Sequence, residues 1–245
     1  MIQSLESLHR AAQERGSRVL AVAAAQDAEV LLAVDAARKL GIATAILVGD
    51  EEQIRAIAQA HDIPLEPHRI LPEPDKVQAC RTAVKLVRDG QADAVMKGIV
   101  DTSIILKAVL DKEIGLRDAP VLSHVALFQV PGYDRLLYVT DAAMNIAPDL
   151  EAKKHIVSNA VKVAHALGNP NPIVACLCAV EKVNPKMPAT LDAAALVEAN
   201  ATGALPGCTV IGPLALDNAV SRGRPSQGNY RSQRRPRRHS PGSQH

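Results

Sequence analysis

Aromatic side chains are nearly missing from this sequence, which has no Trp, one Phe (Phe128) and three Tyr in 245 residues. A surface that binds nucleic acid by base stacking needs aromatic platforms, so that class is disfavoured. The core must be made of Ala, Val, Leu and Ile, a mixture suited to parallel strands buried on both faces by Ala-rich helices. The four cysteines (Cys80, Cys176, Cys178, Cys208) include no C-x-x-C pair, and Cys176-x-Cys178 points its thiols to opposite faces of a strand. A zinc or disulfide framework is therefore not expected, and no metal site is assigned. No apolar run reaches transmembrane length, and the N-terminal Met-Ile-Gln-Ser-Leu-Glu is not a basic-then-apolar signal. These absences suggest a cytoplasmic, reduced protein. Neither G-x-G-x-x-G nor G-x-x-x-x-G-K-S/T occurs, which disfavours nicotinamide and nucleotide-triphosphate chemistry.

Acid is missing from one stretch. Residues 222–245 carry seven Arg, no Asp or Glu, and no Leu, Ile, Val or Phe, so the +2 net charge of the whole chain hides a net negative body. Such a tail cannot bury a core, and 221–245 is expected to be disordered. A basic arm can bind nucleic acid, and steep weakening with salt would identify that alternative.

What is present is an alternation of apolar runs and amphipathic segments. Arg18 to Ala25 and Ala43 to Val48 read as buried strands, with a helix from Ala28 to Leu40 between them, capped by Asp27 and stopped at Gly41. This is a right-handed βαβ unit. Helices follow at 51–60 and 74–88, with a short strand at His68–Pro72. Cys80 lies on the apolar stripe of the second of these helices and is expected in the core. Leu122 to Val130 and Leu136 to Val139 read as a hairpin around Pro131-Gly132, and His124 within it as a satisfied core histidine. A long helix (150–167), a strand (172–180), a helix (191–201) and a strand (208–211) complete the pattern. Asp217 to Val220 reads as a helix start that does not continue. The expected domains are 1–118 and 119–220, followed by the tail 221–245.

Three strand ends carry polar loops, the position at which open α/β sheets bind ligands. At the first, Lys97 and Gly98 precede Thr102 and Ser103, a cation and a flexible backbone beside helix amides that can hold an anion. At the second, Thr140, Asp141 and Asn145 follow a strand. At the third, Asn184 and Lys186 lie in a loop fixed by two prolines, with Thr190 at the next helix start. Structural caps and solvated lysines would leave the same marks.

Val-Met-Lys-Gly-Ile-Val-Asp-Thr (95–102), Leu-Ser-His-Val-Ala-Leu-Phe (122–128), Val-Thr-Asp-Ala-Ala-Met-Asn-Ile-Ala-Pro-Asp (139–149) and Val-Asn-Pro-Lys-Met-Pro-Ala-Thr (183–190) resemble the phosphate acetyl/butyryltransferase family, and its phosphate butyryltransferase branch best. The resemblance runs through about Val220. It implies two α/β/α domains with largely parallel sheets and an interdomain cleft, an isocitrate/isopropylmalate dehydrogenase-like arrangement. It implies transfer of a short-chain acyl group from coenzyme A to inorganic phosphate, with no permanently bound cofactor and no required metal, by a homo-oligomer. The thioester of coenzyme A is a substrate.

The reaction assigns tasks to the residues above. Phosphate must be held and partly neutralised, by Lys97, Gly98, Thr102 and Ser103. The oxyanion needs donors, for which Asn145 is a candidate. Asp141 is a candidate to take the phosphate proton, or else to orient its neighbours. Asn184 and Lys186 are candidates for coenzyme A. Family members continue beyond the Asp217-Asn218-Ala219-Val220 segment with a serine, an arginine and an aspartate for the active site, and this chain has the Arg-rich run instead. The expectation is a truncated or wrong-frame C-terminus and impaired turnover, with a phosphate acetyltransferase or a non-catalytic coenzyme A- or phosphate-binding remnant as alternatives.

Overall fold

The computed structural model describes residues 1–222. By packing, they form two units, Met1–Pro172 and a second from Ile173. The boundary expected at 118 lies inside the first.

The first unit is built on a four-stranded parallel sheet of β1 (Arg18–Ala23), β2 (Ala43–Gly49), β3 (Arg69–Pro72) and β4 (Ala94–Lys97), in the order β3-β2-β1-β4. Successive residues of a strand point to opposite faces, so β1 and β2 supply two cores at once. Ala21, Ala23, Ile46 and Val48 face α4 (Lys76–Arg88) and α5 (Thr102–Val109), meeting Ala79, Cys80, Ala83, Val84, Ile105 and Ala108. Val22, Ala45 and Leu47 face α2 (Ala28–Lys39) and α3 (Glu51–Ala60), meeting Leu31, Val34, Ile54 and Ala58. The result is a three-layer α/β/α sandwich with a small-residue core. Cys80 is fully buried in it, as expected.

Aspartate caps set the helix starts. Asp27, Asp50 and Asp75 each accept a hydrogen bond from the amide three residues on, at 3.1, 3.0 and 2.8 Å. Ser4 and Ser7 form a reciprocal capping box on α1 (Leu5–Glu14). Asp149 caps α6 (Leu150–Ala166), accepting from Ala152 N at 2.8 Å.

The hairpin is real but shorter than expected. Its strands are β5 (Ala126–Gln129) and β6 (Leu136–Val139), paired antiparallel. Residues 121–124 run outside the ladder because side chains take their backbone groups. Asn159 Nδ2 on α6 donates to Val121 O (3.0 Å) and Ser123 Oγ (2.9 Å), and Asn145 Nδ2 donates to Leu122 O (3.0 Å). His124 is exposed, not a core histidine.

The second unit pairs β7 (Ile173–Leu177) with β8 (Thr209–Leu214), parallel, with α7 (Pro188–Ala201) against β8. The segment after β8 does continue as a helix, α8 (Leu216–Arg222). The expected tail thus begins with two helical residues, and the remainder of that expectation, 223–245, lies outside the described residues. Among the described residues no helix is long and apolar enough to cross a membrane.

Candidate functional site

At the carboxyl end of the first sheet, β1 leaves through Ala24, whose φ of 54° turns its carbonyl toward the neighbouring strand. Gly98 N donates to Ala23 O at 2.8 Å and Ile99 N to Ala24 O at 2.9 Å. A Cβ on Gly98 would stand 2.1 Å from Ala24 O and 2.6 Å from Ala23 O. Glycine at 98 is therefore required by the approach of β1, a backbone demand independent of any ligand.

The loop after Gly98 closes a cavity of about 420 Å³ lined by Asp27, Lys76, Lys97, Gly98, Ile99, Val100, Asp101 and Ile104. Lys97 Nζ donates to Val100 O at 3.0 Å and to Gly98 O at 3.4 Å. Among the described residues no carboxylate forms an ion pair with it. Asp101 occupies the N-cap of α5 but makes no capping bond with its side chain. The first amides of this helix, at Thr102 and Ser103, therefore open the helix without the carboxylate lid that closes α2, α3, α4 and α6. Thr102 and Ser103 are both exposed. Lys76 and Asp27 were not anticipated as cavity residues. Lys76 opens α4 beside the cap Asp75, a position that in sequence looks like any charged first turn.

The second group is a closed hydrogen-bond cage. Asp141 Oδ1 accepts from His124 N, Ala143 N and Met144 N, each at 3.2 Å. Asp141 Oδ2 accepts from Asn145 N at 3.0 Å and from Asn145 Nδ2. Thr140 Oγ1 donates to His124 O at 2.7 Å, so His124 is bound to this loop through both backbone groups. Burial pushes the Asp141 carboxyl up, but the bonds from Asn145 and the amides of Ala143, Met144 and His124 outweigh it and hold it below the ordinary carboxylate range. Such a carboxylate is a weak proton acceptor and a strong organiser. Both recorded donations from Asn145 Nδ2 are internal, to Leu122 O and Asp141. Asn159, which ties the 121–124 strand to α6, escaped the sequence reading because its partners lie 36 and 38 residues away.

The third group lies in the second unit. Asn184 N donates to Thr190 Oγ1 at 2.9 Å, Thr190 Oγ1 in turn donates to Met187 O at 2.8 Å, and Lys186 N donates to Asn184 Oδ1 at 3.0 Å. Thr190 is fully buried and pins the loop to the start of α7, which has Met187 at its N-cap and no side-chain cap. Val180 to Pro185 line a second open cavity of about 590 Å³. Glu181 Oε1 accepts from Asn218 Nδ2 at 2.7 Å, tying this loop to α8. The expected residues thus fall into three groups: Lys97 and Gly98 with the start of α5 at Thr102 and Ser103; Asp141 with Asn145; and Asn184 with Lys186. Among the described residues no cluster of three or more His, Cys, Asp or Glu is arranged to hold a metal ion.

Comparison with known proteins bears on what these loops serve. The family model described as phosphate acetyl/butaryl transferase matches residues 69–229. A phosphate butyryltransferase of Clostridium acetobutylicum is 49% identical over 221 residues, covering 90% of this chain and 73% of the relative. A phosphate acetyltransferase of Thermotoga maritima is 39% identical over 217 residues, 89% of this chain and 73% of the relative. The crystal structure of a branched-chain phosphotransacylase from Enterococcus faecalis V583 superposes with a TM-score of 0.70 at 32% identity, over 86% of this chain and 75% of that one.

Proposed function

Because the chain belongs to the phosphate acetyl/butaryl transferase family, we propose that it transfers a short-chain acyl group, butyryl in preference to acetyl, between coenzyme A and inorganic phosphate. The observation that carries this reading is the 49% identity to a phosphate butyryltransferase across 90% of the chain. In the reaction a phosphate oxygen attacks the thioester carbonyl carbon. A C–O bond forms, the C–S bond breaks, and its electron pair leaves on the coenzyme A sulfur, which takes up the proton that phosphate releases.

The geometry supports a division of labour. Lys97 and the open first turn of α5 at Thr102 and Ser103 form the phosphate seat, with Gly98 shaping the loop that carries them. Displacement of the two loop carbonyls by a phosphate oxygen frees the Lys97 ammonium for a charge-assisted contact. Asp141 is assigned as a positioning residue, because its carboxylate is already spent on the cage, and Asn145 as its partner in that cage. Asn184 and Lys186 are assigned to coenzyme A, with Thr190 fixing their loop. In this reading the functional division follows 118/119, between the domain of the four-stranded sheet and a second domain reaching residue 220, with the ligands in the cleft between. Family membership also supports a cytoplasmic homo-oligomer whose small-molecule partners are acyl-CoA and phosphate, with no permanently bound cofactor.

The test is thiol release from butyryl-CoA and acetyl-CoA with and without phosphate. Release should depend on phosphate and favour butyryl-CoA. Lys97→Met should raise the KM for phosphate roughly tenfold or more, the loss expected for one hydrogen bond to a charged group, and leave the KM for butyryl-CoA unchanged. Absence of both thiol release and coenzyme A binding would refute the proposal.

A further inference from the structure

The loop between β6 and α6 is built inside out. A solvent loop ordinarily shows water its polar side chains. Here the polar residues Thr140, Asp141 and Asn145 are half-buried and bonded to one another or to residues 122–124, whereas Ala142, Ala143, Ile146 and Ala147 are exposed. Ile146 is the extreme case, with a relative exposure of 104%. It is not a loose end. The Asp141 cage fixes the chain up to Asn145, and Asp149, capping α6, fixes it on the other side. Two more apolar side chains belong to the same assembly and are exposed: Leu122 (38%), whose carbonyl accepts from Asn145, and Val139 (42%), which leads into Thr140.

A polar cage that holds an isoleucine out in water forgoes the gain from burying it, unless a ligand covers it. We infer that Ile146 is the specificity-determining residue of the acyl site, with the alkyl chain of the acyl-CoA lying against it. This rests on the acyltransferase reading above. The patch suits that occupant. It is small and apolar, as an alkyl group of a few carbons requires, and it is mounted on the cage assigned to the reaction. A rigid wall of this kind separates acyl chains by length, because each further buried methylene is worth about fourfold in affinity.

The experiment measures binding, not turnover. Calorimetry on the full chain without phosphate compares coenzyme A, acetyl-CoA and butyryl-CoA for wild type, Ile146→Ala and Leu40→Ala, the last removing an exposed leucine at the end of α2. Wild type should bind butyryl-CoA roughly tenfold tighter than acetyl-CoA, as two methylenes require. Ile146→Ala should erase most of that gap with coenzyme A affinity unchanged, and Leu40→Ala should keep it. A gap that survives in Ile146→Ala, or is absent from wild type, overturns the inference. So does a change in sedimentation with an unchanged gap, which would make a second copy of the chain the occupant. Failure of wild type to bind coenzyme A itself would overturn the acyltransferase reading, a result distinct from loss of chain-length discrimination alone.

Discussion

Replacing Asp141 by Asn keeps the shape of the side chain and removes its charge, which separates a positioning role from a chemical one. Five donors converge on this carboxylate, three on one oxygen and two on the other. In either orientation of the new amide, its NH2 group faces donors and those bonds are lost, while the bonds to the remaining oxygen drop from charge-assisted to neutral. Hydrogen bonds to a charged group are worth about 1.5–3 kcal/mol each; with the site half-buried and the loop free to relax, a total of about 2–4 kcal/mol is expected. For a chain of this size that is a fall in Tm of about 5–15 °C. The pH dependence fixes the sign. The folded carboxyl lies below its ordinary value of 3.8, so its contribution is full at neutral pH and is lost as pH falls from 3.8 through the folded value. Wild type and Asp141→Asn should therefore differ most near pH 7 and converge in acid. The assay is a thermal melt across pH with hydrogen exchange at residues 143–145, whose amides should lose protection. An Asn variant that melts with wild type at pH 7 refutes the cage argument. Unchanged melting with abolished turnover would make Asp141 a proton carrier instead.

Two further outcomes are expected. Gly98→Ala drives a methyl into the carbonyls of Ala23 and Ala24 and should destabilise the first unit by about 2–4 kcal/mol, seen as a lower denaturant midpoint; an unchanged midpoint would contradict the close approach described. His68 Nδ1 accepts from Ala45 N at 3.1 Å while its Nε2 is buried without a partner. Burial and Arg38 push its pKa below 6.5 against the opposing pull of Asp35, so stability should fall as pH drops from 6.5 through the folded value. His68→Asn, whose Oδ1 can replace Nδ1 as acceptor, should flatten the slope of stability between about pH 5 and 7, and an unaltered slope would show that another group titrates there.

The sheet and its helices were legible because local signals agreed with the tertiary result: Asp27, Asp50, Asp75 and Asp149 cap helices in the structure as their spacing suggests, and the apolar runs are the buried strands. Agreement fails where distant side chains intervene. The strand expected over 122–130 begins only at Ala126 because Asn145 and Asn159 capture the backbone before it, and His124 is drawn outward by the same cage. The helix after Asp217 was missed because seven residues carry too little periodicity to be read. Within the site, Lys97, Asp141 and Asn145 were marked by their position after strands, but their roles depend on partners. Lys97 folds onto its own loop, and Asp141 is held by an amide 17 residues away. The exposure of Ile146 has no signature in its residue type.

The arrangement of the first sheet also bears on the order of assembly. All four parallel strands lie between Arg18 and Lys97, each neighbour joined through a helix that packs on the same sheet. During synthesis this layer can close on itself soon after β4 clears the ribosome exit tunnel, since domains tend to fold as units from the N-terminus. The Asp141 cage cannot, because Asn159 must arrive with α6 to hold residues 121–123 in place. A nascent chain halted between the two would therefore carry a finished scaffold and an unbuilt reaction centre, and protease digestion of ribosome-bound intermediates would resolve the two stages as separate events.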